Sequence, residues 1–412
     1  MFWLFLAQVF CAEPACREIV RKFLGRLAFE GKTASPRTAG YCKARARLRQ
    51  KDLDAAHARL AEKARAAHLG GGLWFGRPVQ VVDGSGLSMP DTPDNQALYP
   101  QPKGAQPGCS FPVMRVVALF CLGTGVLIAL AKGSLHVGER ALFRSLWDLL
   151  APGDVILADR GFCGYAEFFF LLKRGVDCVM RNHQRRTVGK TVLKTFRRGD
   201  RLIQWHKSRP GPIWPDKAAW AALPDRLTLR EIDVRVEVQG FRVESLTVVT
   251  TLLDPERFPA EAFADLYRRR WMAELYLRDI KTTLGMDILR CKTPAMVHKE
   301  LTMHLLAYNL IRLTMLEAAG RHDVPFERLS FKGTLSTLRQ WAPLLAATPP
   351  RTRRALWDSL LGCLVRDPLP HRPNRVEPRA RKRRPKNYQL LNRPRTLFKE
   401  IYHRNKYAKA LS

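Results

Sequence analysis

The chain has 412 residues, enough for two or three domains, and its 46% apolar content is that of an ordinary globular protein. Seventy Lys and Arg stand against 37 Asp and Glu, a net charge of +33 that repels itself in any compact state and calls for a polyanionic partner. The basic residues are spread along the chain and not gathered on one amphipathic helix, which favours nucleic acid over a membrane surface. Nine cysteines at irregular spacings, with no CxxC pair and no zinc-ligand spacing, are expected as reduced thiols in a cytoplasmic setting.

Residues 1–75 are expected to be helical. Phe2, Leu6, Val9 and Phe10 fit one helix face, while the absence of a positive n-region and the presence of Gln8 argue against a signal peptide. Cys16–Phe29 and Lys51–His68 carry 3.6-residue periodicity with many Arg and Lys, so this region is either a DNA-binding module or a packing subdomain. Gly70-Gly71-Gly72 marks a boundary. The short β-branched run Pro78–Val82 is then expected as a strand ending at Asp83. Met114–Leu122 and Val126–Ala131 flank Gly123-Thr124-Gly125 as a hairpin. A helix over Glu139–Leu150, a strand over Val155–Ala158 ending at Asp159, a helix near Tyr165–Arg174 and a strand over Asp177–Arg181 complete an α/β sheet covered by helices. Residues 182–250 read as a β-rich insertion with strands at Glu231–Gln239 and Arg242–Thr251. A helical pattern resumes from Ala260 to about Ala319. The Pro-, Arg- and Lys-rich segment His371–Arg395 reads as a poorly packed arm that binds phosphate without regard to sequence. No other apolar run is suited to a membrane: Val113–Leu130 contains Arg115 and a glycine turn.

Two carboxylates occupy matching places. Val79-Gln-Val-Val-Asp83 and Val155-Ile-Leu-Ala-Asp159 are each a short apolar strand running into Asp, and open α/β sheets place their sites at the carboxyl ends of strands. On adjacent parallel strands the two side chains converge, as oxygen ligands for a hard divalent cation must. A third carboxylate lies in a helical segment where Tyr267, Arg270, Glu274 and Lys281 stand at offsets 0, 3, 7 and 14. At roughly 100° per residue these fall within an arc of about 60°, with Arg278 beside them. Leu266, Ala273, Leu277, Ile280 and Leu284 form an adjoining apolar stripe. An ordinary amphipathic helix with Arg270 paired to Glu274 accounts for the same pattern taken alone.

Tyr267, Arg270, Glu274 and Lys281 match Tyr-x2-Arg-x3-Glu-x6-Lys without a gap, and this resembles the signature of the bacterial DDE transposases of the insertion-sequence type four family. Asp83 in Val-Val-Asp-Gly-Ser and Asp159 in Leu-Ala-Asp-Arg-Gly-Phe fit that family's two aspartates. Lys281-Thr-Thr-Leu-Gly-Met-Asp, Tyr308-Asn-Leu-Ile-Arg and the basic tail from Pro378 are similar as well. The resemblance implies an RNase H-like α/β catalytic core in two parts, 76–181 and 251–320, interrupted by the insertion at 182–250. A helical N-terminal region, 1–75, and a helical C-terminal region with a basic tail, 321–412, flank it. It implies cut-and-paste transposition using two magnesium ions (Mg2+, with Mn2+ able to substitute) held by Asp83, Asp159 and Glu274, with Asp83 bridging both. Arg270 and Lys281 become phosphate clamps, Tyr267 a donor to a nearby phosphate, and Arg278 a further phosphate contact.

The partners implied are double-stranded DNA, as terminal inverted repeats and target, and a second copy of the chain in a synaptic dimer. The setting implied is the bacterial cytoplasm, with the protein on the nucleoid when bound to DNA. Relatives of this kind commonly carry more residues upstream of such a start. In some, a Trp of the insertion stacks on a flipped base. Here the strand Leu246–Thr251 has no Trp, and Trp205, Trp214 and Trp220 are expected in the core. Two rival readings remain open: an RNase H-like nuclease that cuts without joining, and a non-catalytic DNA-binding derivative.

Overall fold

Apolar, β-branched runs bounded by turn residues set the centre of the molecule. The computed structural model describes residues 1–66, 72–104, 106, 108–183, 189–207, 217–236 and 244–370. In chain order, α1 (Phe2–Phe10), α2 (Cys16–Phe29), α3 (Thr38–Ala46) and α4 (Gln50–Ala66) precede β1 (Val79–Ser88) and α5 (Pro93–Leu98). There follow β2 (Val113–Cys121), β3 (Leu127–Ser134), α6 (Glu139–Arg144), β4 (Val155–Ala158), α7 (Tyr165–Lys173) and β5 (Asp177–Arg181). Next come β6 (Lys190–Arg197), β7 (Asp200–His206), α8 (Lys217–Ala221), β8 (Arg226–Val236) and β9 (Glu244–Thr250). The chain then becomes helical again: α9 (Ala260–Arg269), α10 (Trp271–Arg278), α11 (Pro294–His322), α12 (Phe331–Ala347) and α13 (Pro350–Arg366).

Among the described residues, all strands join one nine-stranded sheet in the order β3-β2-β1-β4-β5-β9-β8-β7-β6. β1, β4 and β5 run parallel, and the remaining pairs are antiparallel. The later strands extend the same sheet: β9 pairs with β5 through Val179↔Thr250 and Met180↔Val249, and the meander β8-β7-β6 continues outward from there. Mixed α/β architecture follows, with helices on both faces. Alternation along the central strands sends Val79, Val81, Leu157 and Val179 to the face covered by α1 and α9–α11. Val82, Ile156, Ala158 and Met180 go to the other, under Leu142, Phe143, Phe168 and Leu171 of α6 and α7. Trp205 is buried edge-on against Phe168, and Trp220 packs near Tyr165. Trp214 lies outside the described residues, as do most of the expected boundary at Gly70–Gly72 and the whole arm His371–Arg395.

Buried polar groups tie the layers together. α11 is buried nearly all round, as a helix apolar on every side must be. Its Asn309 side chain accepts from the Leu127 amide (2.9 Å) and donates to the Leu127 carbonyl (2.8 Å), clasping β3. Arg230, in the middle of β8, is wholly buried. It forms a bidentate pair with Asp200 (2.6 and 2.7 Å) and donates to the carbonyls of Asp254 and Phe258 in the loop that leads to α9.

Three expected elements differ. β1 does not stop at Asp83; antiparallel pairing with β2 (Asp83↔Ala118 to Ser88↔Val113) keeps Gly84–Ser88 extended. The helix expected over Glu139–Leu150 is the shorter α6 followed by a 3-10 turn at Trp147–Leu149. The helical run from Ala260 is not one helix. Its ladder tightens at Arg270, whose amide bonds to the Tyr267 carbonyl. It widens into a π-helical turn at Asp279–Thr283, and α11 starts only at Pro294. No helix among the described residues is long and apolar enough to cross a membrane.

Candidate active site

The register of the parallel strands decides where the two aspartates stand. Val79, Gln80 and Val81 face Val155, Ile156 and Leu157, so Asp83 and Asp159 each follow two residues after the last matched pair, at the same level. β4 ends at Ala158 while β1 runs on, which leaves one flank of β1 open beside Asp83. This is the crevice beyond the carboxyl ends of the strands where open sheets bind ligands. Both carboxylates also accept local backbone bonds: Asp83 Oδ1 from the Gly84 amide and Asp159 Oδ1 from the Gly161 amide, each 2.8 Å.

Glu274 reaches the same region from α10, which packs on β1. Its side chain is 39% exposed and its Oε1 accepts from Arg270 Nη2 at 3.0 Å. Arg270 lies above the ring of buried Tyr267, 5.8 Å from its centroid. Burial works against the charge of Arg270, but Tyr267, Glu274 and Asp83 hold it more firmly protonated than usual. Beyond Arg278, which is exposed, the π-turn carries Lys281 to β1, where Nζ donates to Ser85 Oγ at 2.8 Å. The regular-helix geometry expected for Lys281 is thus corrected: the wide turn, with Leu284 N bonded to Asp279 O, displaces it from an α-helical position. Ser85 holds the Lys281 ammonium. The apolar stripe is as expected, with Leu266, Ala273, Leu277, Ile280 and Leu284 all buried.

Electrostatics couple the three acids. Burial pushes the Asp83 carboxyl up to about 6. The Gly84 amide and Arg270 work against this, while the charges of Asp159 and Glu274 add to it. Even so, among the described residues no three such groups stand close enough together to hold a metal ion. Like charges repel, and Glu274 takes the guanidinium of Arg270 in place of a meeting with the aspartates. The donor set nonetheless suits a hard divalent cation: it is all oxygen, and it carries an excess of negative charge at a half-buried crevice. A separate cavity between α4 and the turn joining β2 to β3, lined by Ala58, Glu62, Arg65, Gln80 and Thr124, contains none of these residues.

One supporting cluster escaped the sequence. Arg312, buried within α11, pairs with Asp279 at the start of the π-turn (2.7 Å) and bonds to Tyr308 Oη (3.0 Å). Tyr276, Tyr308, Phe326 and Phe331 surround its guanidinium at 4.8–5.7 Å. The hydroxyls of Tyr276 and Tyr308 donate to the carbonyls of Leu122 and Gly125. The segment bearing Glu274 and Lys281 is thereby fixed to the hairpin turn. The only sequence signal was the match of Tyr308-Asn-Leu-Ile-Arg312 to relatives, which carries no physical role by itself.

The Transposase DDE domain family matches residues 74–310, more than half of the chain. The chain is similar to transposase InsG for insertion sequence element IS4 of Escherichia coli strain K12, 28% identical over 320 residues, covering 76% of this chain and 70% of that protein. A stretch of 76 residues is 33% identical to the transposase for insertion sequence element IS421 of Escherichia coli, covering 18% of this chain and 20% of that one. Among solved structures, the cryo-EM structure of the piggyBac transposase synaptic complex with hairpin DNA aligns at a TM-score of 0.37 and 10% identity. That alignment covers 71% of this chain and 57% of the other. With more than half of its length inside the family's domain, this chain belongs to the DDE transposases.

Proposed function

We propose that this protein cuts and joins DNA strands in cut-and-paste transposition, with Asp83, Asp159 and Glu274 as the carboxylates of a two-metal centre on an RNase H-like core. The observation that supports this best is the level placement of Asp83 and Asp159 on adjacent parallel strands, with Glu274 electrostatically coupled to Asp83. Divalent magnesium, or manganese in its place, supplies Lewis acidity toward the phosphodiester when bound. In this reading Glu274 leaves Arg270 to join the aspartates, and the freed guanidinium takes a phosphate in bidentate fashion. Lys281, steered by Ser85, offers a compact cation to a second phosphate, and Arg278 a third contact from the exposed side of α10. Tyr267 supports Arg270 from beneath and donates to phosphate from the same face. Double-stranded DNA, as terminal repeats and target, is the partner. Joining two ends calls for two copies of the chain, and the bacterial nucleoid is the setting.

The test is incubation with magnesium and DNA that carries the flanking inverted repeats. Wild type is expected to excise and join. Glu274→Gln is expected to bind the ends without cleaving them. Cleavage by Glu274→Gln in magnesium would refute the metal role, and nicking by wild type without joining would select a nuclease.

A further inference from the structure

A glycine follows Asp83, and the space left by its missing side chain is filled. A Cβ at position 84 would stand 2.7 Å from both Cδ and Oε1 of Glu139 and 3.1 Å from Oε2. A carbon does not approach so closely without a bond, so a side chain at this position would push the Glu139 carboxylate aside, and glycine leaves it room to lie against β1. Glu139 opens α6, the helix that follows β3. Consecutive residues of a strand face opposite sides, so Glu139 arrives from the α6 layer while Asp83 faces the α10 layer. Since β4 ends at Ala158, no neighbouring strand flanks β1 on that side at this level, and the residue that Glu139 touches is the one next to Asp83.

Glu139 is half-buried and forms no hydrogen bond or ion pair among the described residues. A carboxylate so placed, with no protein cation on it, is available to a hard cation from outside. An acid in the first turn of a helix is favoured by the helix dipole, but that needs no glycine opposite it.

We propose that Glu139 is a fourth carboxylate ligand of the divalent-metal centre and shares a cation with Asp83. The inference rests on the metal-centre reading given above. Charge supports it: three carboxylates leave two divalent cations with one positive charge uncompensated, and a fourth brings the sum to zero before any phosphate arrives.

Manganese binding by the full chain without DNA, followed by electron paramagnetic resonance, tests it. Glu139→Gln keeps the shape and removes the charge. Its manganese affinity is expected to fall at least about tenfold, the scale seen when a metal's supporting groups are lost. Its metal-free melting temperature should stay level or rise, because an unpaired charge has been removed. Glu139→Cys is the second variant: it should bind cadmium more tightly than wild type does, as a thiolate ligand would. Asp83→Asn separates the two levels of inference. If Asp83→Asn loses manganese while Glu139→Gln binds as wild type and Glu139→Cys gains no cadmium, Glu139 is a helix-end acid only and the proposal is overturned. If Asp83→Asn itself binds as wild type, the underlying metal-centre reading falls, and this one with it.

Discussion

Replacing Arg312 with methionine should loosen the turn that carries Lys281, and the structure sets the size of the effect. The guanidinium is 5% exposed, pairs with Asp279 at 14% exposure, bonds to Tyr308 and lies among four aromatic rings. Removing one member of a buried pair costs roughly 3–5 kcal/mol, because the other is left uncompensated. Asp279 limits that cost. Burial already raises its carboxyl's hold on a proton, which softens the penalty of losing Arg312. The expected loss is therefore at the lower end, about 3 kcal/mol. Asp279→Asn should cost less, and the double variant should recover about 2 kcal/mol of the summed single losses. Urea unfolding at neutral pH measures this as shifts in midpoint at constant slope. Losses that add to within about 0.5 kcal/mol would show the pair to be uncoupled, and the account of the cluster would be wrong.

His57, buried under α11 with its Nε2 facing the Asn309 amide at 3.1 Å, is held neutral: burial lowers it to about 4. The unfolded chain binds the proton at higher pH than the fold does, so stability is lost as pH falls from about 6.5 towards 4, by up to about 3 kcal/mol for this group. Urea midpoints between pH 4 and 7 should show a shallower fall for His57→Gln, and an unchanged slope would refute the assignment. Gly125 has φ of +66°, and a Cβ there would meet the Tyr276 ring at 2.9 Å. Gly125→Ala should therefore destabilise by roughly 2–4 kcal/mol, read as a lowered melting temperature. Lys281→Met should weaken binding to terminal DNA and reduce the salt dependence of that binding by about one phosphate contact. Fluorescence anisotropy across salt concentrations checks it, and an unaltered slope would remove Lys281 from the interface.

The parts legible in the sequence were those written in local pattern. Val79–Val82 and Val155–Ala158 read as strands because a strand buried on both faces is a continuous apolar run, and the Asp after each followed from that. Gly84-Ser-Gly86 lies beyond the strand end expected at Asp83. It is strand because β2, some 30 residues later, supplies its hydrogen bonds, and no local pattern reports a distant partner. Side-chain periodicity found Glu274 and its apolar stripe but is blind to hydrogen-bond register, so the tightening at Arg270 and the π-turn before Lys281 were hidden. Glu139 entered only as the first residue of an expected helix; its proximity to Gly84 is what distinguishes it. Arg312 was equally silent, since a cation inside an apolar helix declares nothing about the cage around it.

The unbroken sheet has a mechanical meaning. β9 is at once the innermost strand of the outer meander and the last regular backbone before α9 and α10. Arg230 adds a rivet, gripping Asp200 of the meander with one side of its fork and the approach to α9 with the other. Strands in register slide or twist together. A load applied at the outer hairpin of β6 and β7 accordingly has a route through β8 and the Arg230 grip on Asp254 and Phe258 to the stretch of chain that carries Glu274.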